Sequence, residues 1–230
     1  MKKLFLLTVI SLLVIGGAIQ AKADSILGLY NTGVNNLGVT LPDNTLGDPH
    51  YTLSSVPAGS TNVIAVRTSA GGYPIGPWTG DDTLSAWIGP SNDNMLNGPV
   101  GIYTYSSTFN LTGLDPTTAL ITGLWSTDNE GIDIRINGIS TGNSFLDSMS
   151  YTSTQPFSIT SGFQSGLNTL DFIVQNDGGP TGLRLEMTGT ASKIVVPDTN
   201  PSAVPEPTSI LLLGTGLSVL GLAARRKKAQ

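Results

Sequence analysis

The sequence predicts an all-β protein, an antiparallel two-layer β-sandwich of the jelly-roll type. Three observations carry that prediction. Residues 132–137 (IDIRIN), 170–175 (LDFIVQ) and 183–187 (LRLEM) alternate in period two, as strands with one buried and one solvated face do. Turn chemistry separates such runs at Asp115-Pro116, Asn137-Gly138 and Asn176-Asp177-Gly178-Gly179-Pro180. Between about Asp24 and Ala203, no stretch of ten or more residues carries helical periodicity. An antiparallel barrel is the runner-up architecture.

In chain order, short β-prone runs between turn signals place strands at Ile26–Tyr30, Tyr51–Val56, Asn62–Thr68, Leu84–Ile88, Gly101–Asn110 and Thr118–Ser126. The alternating segment 132–137 follows, with Ile132, Ile134 and Ile136 on one face. Asp133, Arg135 and Asn137 take the other. Pro156–Thr160 is next. In 170–175, Leu170, Phe172 and Val174 point inward and Asp171, Ile173 and Gln175 outward. In 183–187, Leu183, Leu185 and Met187 point inward and Arg184 and Glu186 outward. Residues 31–49 and 69–82 read as long surface loops.

The two ends have a different character. Lys2 and Lys3 precede an apolar stretch from Leu4 to about Ala18, and Ala21-Lys22-Ala23 follows. This is the layout of a secretory signal peptide cleaved after Ala23, which implies signal peptidase and the general export machinery as partners. The sandwich domain is expected at 24–193 and a proline-rich extended linker at 194–203. Residues 194–207 (IVVPDTNPSAVPEP) carry four prolines.

Charge and composition exclude several functions. Between residues 24 and 203 lie four cations, Arg67, Arg135, Arg184 and Lys193, against fifteen acids, a net charge near −11. Such a surface repels phosphate backbones, so nucleic acid is excluded as a partner. It tolerates divalent cations and neutral polysaccharide. The chain has no cysteine. That removes disulfides, thiolate metal sites and cysteine nucleophiles. His50 is the sole histidine, and there is no Gly-x-Ser-x-Gly elbow, phosphate loop or dinucleotide fingerprint. No catalytic residue is assigned.

The tail is tripartite. Pro205-Glu206-Pro207 comes first. Ile210 to Ala224 is then uncharged over 15 residues, at the lower edge of a membrane span. Arg225-Arg226-Lys227-Lys228 closes it, a basic end that stays cytoplasmic by the positive-inside rule. These parts, in this order over 204–230, resemble the PEP-CTERM sorting signal of Gram-negative bacteria. The resemblance implies recognition and cleavage near the triplet by an exosortase, an integral-membrane cysteine protease. It further implies transient inner-membrane anchoring, then release or transfer to the cell surface or an exopolysaccharide matrix. Prolines flanking Glu206 keep the backbone extended and accessible to such a protease.

Two clusters in the middle are candidates for binding. In WTGDDTLSAWIGPSNDN, Trp78, Asp81 and Asp82 set an aromatic ring beside two carboxylates, the combination that stacks on a pyranose and holds its hydroxyls. Trp87 falls in an expected strand and reads as core. In WSTDNEGIDIRINGISTG, Trp125 ends a strand and Ser126–Gly131 forms a polar hairpin loop. Asp128, Asn129 and Glu130 there offer oxygen ligands of the kind calcium takes. The strand closing in Asn137-Gly138, with Phe157-Ser158-Ile159-Thr160 and Gly166-Leu167-Asn168-Thr169-Leu170 after it, resembles galactose-binding-like jelly rolls. That resemblance implies the fold, and fold alone transfers no ligand. The expectation is an exported, non-enzymatic sandwich that binds carbohydrate or calcium. A carboxylate-dependent polysaccharide hydrolase or lyase is the alternative, and a purely structural matrix protein the third.

Overall fold

A computed structural model describes residues 23–42, 45, 47–60, 64–68, 72–91 and 98–195. The body of the expected signal peptide, the linker beyond Val195 and the whole sorting tail lie outside the described residues. The chain divides after Ile194. Before that point it forms eleven described strands: β1 (Ala23–Ser25), β2 (Thr52–Ser55), β3 (Val66–Arg67), β4 (Ile88–Gly89), β5 (Gly101–Asn110), β6 (Leu120–Asp128), β7 (Gly131–Ile136), β8 (Ile139–Ser140), β9 (Gln155–Ile159), β10 (Leu167–Asn176) and β11 (Gly182–Ser192).

Two antiparallel sheets result. One has the order β3-β4-β11-β6-β9, with β1 also pairing with β11. The other runs β2-β5-β10-β7-β8. From β5 onward the chain changes sheet at every connection except β7–β8. That wrapping makes a jelly-roll sandwich rather than a meander. The exception is a two-residue hairpin pairing Ile136 with Ile139. Its turn residues, Asn137 (φ 52°) and Gly138 (φ 80°), both have positive φ, as the type I′ geometry requires.

The core lies between the sheets. Tyr105 from β5, Ile121 and Trp125 from β6, Ile134 from β7, Leu170 and Phe172 from β10 and Leu183 and Leu185 from β11 have no exposed surface. The Trp125 and Phe172 rings meet at 6.3 Å between centroids. Each such side chain contributes roughly 1.5–3 kcal/mol on burial.

The structure departs from the period-two reading where neighbours intervene. Ile173, expected outside, is buried. It sits in a central strand between Thr104 and Asp133. A register shift between Ile173 and Val174 takes Ile132 out of the pairing, so Ile132 is only half-buried while Asp133 is buried. Arg184, also expected outside, is 7% exposed, covered by its pairing with Asp82 and Glu186. Trp125 lies mid-strand. Ser126, Thr127 and Asp128 continue β6, and β6 and β7 belong to different sheets. The expected hairpin is therefore a two-residue corner, Asn129-Glu130, that carries the chain from one sheet to the other.

The N-terminal part differs from expectation in kind. The strand expected at 26–30 is not formed: those residues are turn and irregular backbone, and the strand of this segment is β1, which ends at Ser25. This strand starts at the residue after which signal cleavage is expected and runs along β11. The loop at 31–49 is partly interior, with Thr32, Val34 and Asp48 buried. A carboxylate organises it. Asp48 accepts from the backbone N–H of Gly33 (2.8 Å), His50 (2.8 Å) and Tyr51 (3.0 Å). His50 has a structural place there, its ring stacked on Tyr30 at 3.5 Å.

Candidate functional site

At one end of the sandwich, three connections converge: the loop 73–80 before β4, the β6–β7 corner, and the β10–β11 connection. A short 3-10 turn, Ser150–Thr152, packs beside them. Between them lies a cleft of ≈ 220 Å³ lined by Tyr73, Trp78, Asp128, Asn129, Tyr151 and Pro180, among others.

The loop is docked from two sides. Thr79 donates its N–H to the Tyr151 carbonyl at 2.8 Å, and the buried Trp87 indole donates to the Thr79 carbonyl at 2.8 Å. Trp87 is core, as expected, although the strand expected at Leu84–Ile88 is reduced to β4 and Trp87 precedes it. It also forms the floor under Trp78, with ring centroids 4.4 Å apart. Gly182 makes room for Trp87: a Cβ there would lie 2.9 Å from the Ile88 carbonyl and 3.2 Å from the Trp87 ring. Trp78 is half-buried. Tyr73 meets it edge-on at 5.3 Å, and Tyr151 tilts against it at 6.2 Å. Three aromatic rings thus surround one opening.

Asp128 ends β6 at the wall of this cleft and is 4% exposed. Desolvation pushes its carboxyl up to about 7, against which a hydrogen bond from the Trp78 side chain acts to lower it. The corner is fixed by polar contacts. Thr127 Oγ1 donates to the Asn129 carbonyl at 2.8 Å, and Thr181 Oγ1 bonds the Asp128 carbonyl. The Asn129 amide acts as a strut. Its Oδ1 accepts from Asp177 N at 2.8 Å, and its Nδ2 donates to the Ser148 carbonyl at 3.4 Å.

The structure redistributes the residues singled out in sequence. Trp78 from one cluster and Asp128 and Asn129 from the other meet in this cleft, 50 residues apart in the chain. Glu130 is not among its lining residues, and among the described residues no three acidic or histidine side chains group to hold a metal ion. Asp81 and Asp82 serve the loop instead. Asp81 accepts from Trp87 N at 2.8 Å and pairs with Arg67 at 3.3 Å. Burial raises its pKa against the lowering effects of Trp87 and Arg67. Asp82 accepts from Leu84 N and Ser85 N at 2.7 and 3.0 Å and pairs with Arg184 at 2.7 Å. Those contacts outweigh its desolvation and lower its pKa. Tyr73 and Tyr151 were not singled out in sequence. Tyr73 stands in the same YPIGPW loop as Trp78, which was a usable signal, whereas Tyr151 lies 73 residues beyond Trp78 with none.

The other functional region is the tail. Pro205, Glu206 and Pro207, the uncharged run to Ala224 and the basic residues Arg225 to Lys228 stand in consecutive order. Residues 203–227 match the PEP-CTERM protein-sorting motif. A PEP-CTERM motif implies an exported protein that an exosortase recognises. Among curated proteins, none matches this chain. Among solved structures, a CBM35 from Paenibacillus barcinonensis is similar at 16% identity, covering 69% of this chain and 95% of that chain with a TM-score of 0.29. The PEP-CTERM motif therefore assigns the route of the protein, and the cleft has to be read from its own chemistry.

Proposed function

We propose that this is an exported, non-catalytic protein of the cell surface or extracellular matrix, whose β-sandwich binds carbohydrate in the aromatic cleft. One observation carries the binding role: Tyr73, Trp78 and Tyr151 surround an opening that also presents the Asp128 carboxylate and borders the Asn129 amide. Ring faces pack on the apolar face of a pyranose, and a carboxylate satisfies its hydroxyls. The pairing of apolar walls with few polar groups is typical of small-ligand sites. Hydrolysis of a glycosidic bond uses two acids flanking it. Among the described lining residues Asp128 is the single acid, which supports binding rather than turnover.

The tail gives the route. The signal peptide starts export, the span holds the chain briefly in the inner membrane, and the exosortase cuts near Pro205-Glu206-Pro207. The sandwich is then released or passed to the surface, with exopolysaccharide as the expected neighbour. A panel of immobilised glycans tests the binding role: wild type is retained on at least one polysaccharide and Trp78→Ala is not. Equal retention of the two removes the cleft from the proposal. Replacing Pro205, Glu206 and Pro207 by alanine tests the route. Uncleaved protein accumulating in the membrane fraction is the expected result, and unchanged processing rejects it.

A further inference from the structure

The cleft carries charge of one sign among its described residues. Its described lining contains one carboxylate and no cation. The four described cations are engaged elsewhere: Arg67 with Asp81 at 3.3 Å, Arg135 with Asp133 at 2.9 Å, Arg184 with Asp82 and Glu186 at 2.7 and 2.8 Å, and Lys193 with Asp24 at 3.2 Å. A carboxylate that is 4% exposed and has a neutral indole as its side-chain donor is poorly compensated when ionised. Three aromatic rings stand over the same opening, and ring faces attract cations most strongly where water is excluded. A uronate or a phosphate-bearing sugar would bring its charge against Asp128 with no guanidinium or ammonium to meet it.

We infer that the cleft selects sugars bearing a protonated amine, seating the ammonium between the Asp128 carboxylate and the rings of Tyr73, Trp78 and Tyr151. This rests on the carbohydrate reading of the cleft and adds the class of sugar. An ammonium here supplies the ion pair the carboxylate lacks and the cation the rings attract. The titratable groups around Asp128 are Tyr73 and Tyr151 in the cleft, Tyr105 behind it, and Glu130 and Asp177 on the adjoining connections. None of these is a cation, so each leaves the preference in the same direction. Burial holds a proton on Asp128 up to about pH 7. In slightly acidic buffer the arriving ammonium expels that proton.

The test is calorimetric titration of the purified full-length chain with three tetrasaccharides: a fully deacetylated glucosamine tetramer, its N-acetylated counterpart and a galacturonate tetramer. The glucosamine tetramer is expected to bind about tenfold or more tighter than the acetylated one. The galacturonate is expected to bind weakest. The heat of glucosamine binding should change with the ionisation enthalpy of the buffer, reporting the released proton. Asp128→Asn should abolish the amine preference, bringing the amine and acetylated tetramers to equal affinity. If that variant does not fold, Tyr151→Leu should reduce the preference by removing one ring. Equal affinity for the amine and acetylated sugars, or tighter binding of the uronate, overturns the inference and leaves the carbohydrate reading standing. No binding of any of the three overturns the inference, and with an empty glycan panel the carbohydrate reading falls too.

Discussion

The two halves of the sandwich are stabilised by different means. Residues 101–192 contain the long strands, β5, β6, β10 and β11, each of nine to eleven residues. Their inner faces pack apolar against apolar. Residues 23–91 contain strands of two to four residues. Three carboxylates hold their loops: Asp48 gathers three backbone N–H groups, Asp81 holds Trp87 N and Arg67, and Asp82 holds two N–H groups and Arg184. The cleft is built across both. Its rings Tyr73 and Trp78 come from the polar-stapled half, and Asp128 and Tyr151 come from the regular half. Variable loop chemistry on a rigid scaffold is a common division for binding sites.

The largest expected effect is in the regular half. Trp125→Ala empties a fully buried position against Phe172 and Gly131, where a Cβ on Gly131 would already lie 2.5 Å from the Trp125 ring. A loss of about 3–5 kcal/mol in unfolding free energy is expected. Chemical denaturation reads it directly. A loss below about 1 kcal/mol would mean that the core is not what holds this half.

Asp48→Ala is the matching change in the stapled half. It leaves three backbone donors without their acceptor in a partly buried loop. The expected cost is about 2–3 kcal/mol, because buried donors that lose a partner keep their desolvation penalty. Hydrogen exchange distinguishes this from a general weakening: protection should fall at Gly33, His50 and Tyr51 while the amides of β10 and β11 keep theirs. Equal loss in both halves would abolish the distinction drawn between them.

That distinction also explains what could be read in advance. Gly101–Asn110 was legible to the residue, and β7, β9 and β10 to within a few, while β11 continues to Ser192, well past the expected Met187. Their alternation is dictated by one buried and one solvated face. Two of the errors in that half, Ile173 and Arg184, are residues expected outside and buried by something distant: flanking strands in one case, Asp82 in the other. In the stapled half, the determinants are single side chains reaching backbone groups across the sandwich. An example is Thr32, which accepts from Leu185 N 153 residues away. No local periodicity encodes such a bond. The same holds for the cleft. Trp78 and Asp128 can be singled out by residue type, but their meeting depends on the sheet change at Asn129-Glu130, where the local sequence predicts a hairpin. Asp81 and Asp82 have the composition of a sugar site and are occupied by loop N–H groups and arginines.

A pH titration of stability places Asp128 between the two regimes. Over the interval between 3.8, the ordinary value, and about 7, the folded protein holds a proton on Asp128 that the unfolded chain has released. Folding then binds more protons than unfolding, so this group's contribution to stability is full below the ordinary value and falls as pH rises through 7. Asp128→Asn removes the titration. The variant should gain on wild type as pH rises from 5 to 8, ending more stable by on the order of 1–2 kcal/mol once water in the open cleft is allowed for. Denaturant midpoints at several pH values measure the difference. A constant gap between the two proteins would show that the carboxylate is well solvated and that the cleft does not desolvate it.

The smallest effect on stability is expected where the effect on binding is largest. Trp78 is half-buried and rests on Trp87, which keeps its own hydrogen bond to the Thr79 carbonyl without it. Trp78→Ala therefore costs about 1 kcal/mol, against several for Trp125. It removes the ring at the centre of the aromatic group and the donor to Asp128, so carbohydrate binding should weaken more than about tenfold, beyond what lost ring area alone would give. Trp78→Phe restores the ring but not the donor, and should recover binding in part. If Trp78→Ala melted like Trp125→Ala, the ring would belong to the core. If it bound sugar like wild type, the carboxylate and the tyrosines would carry the site without it.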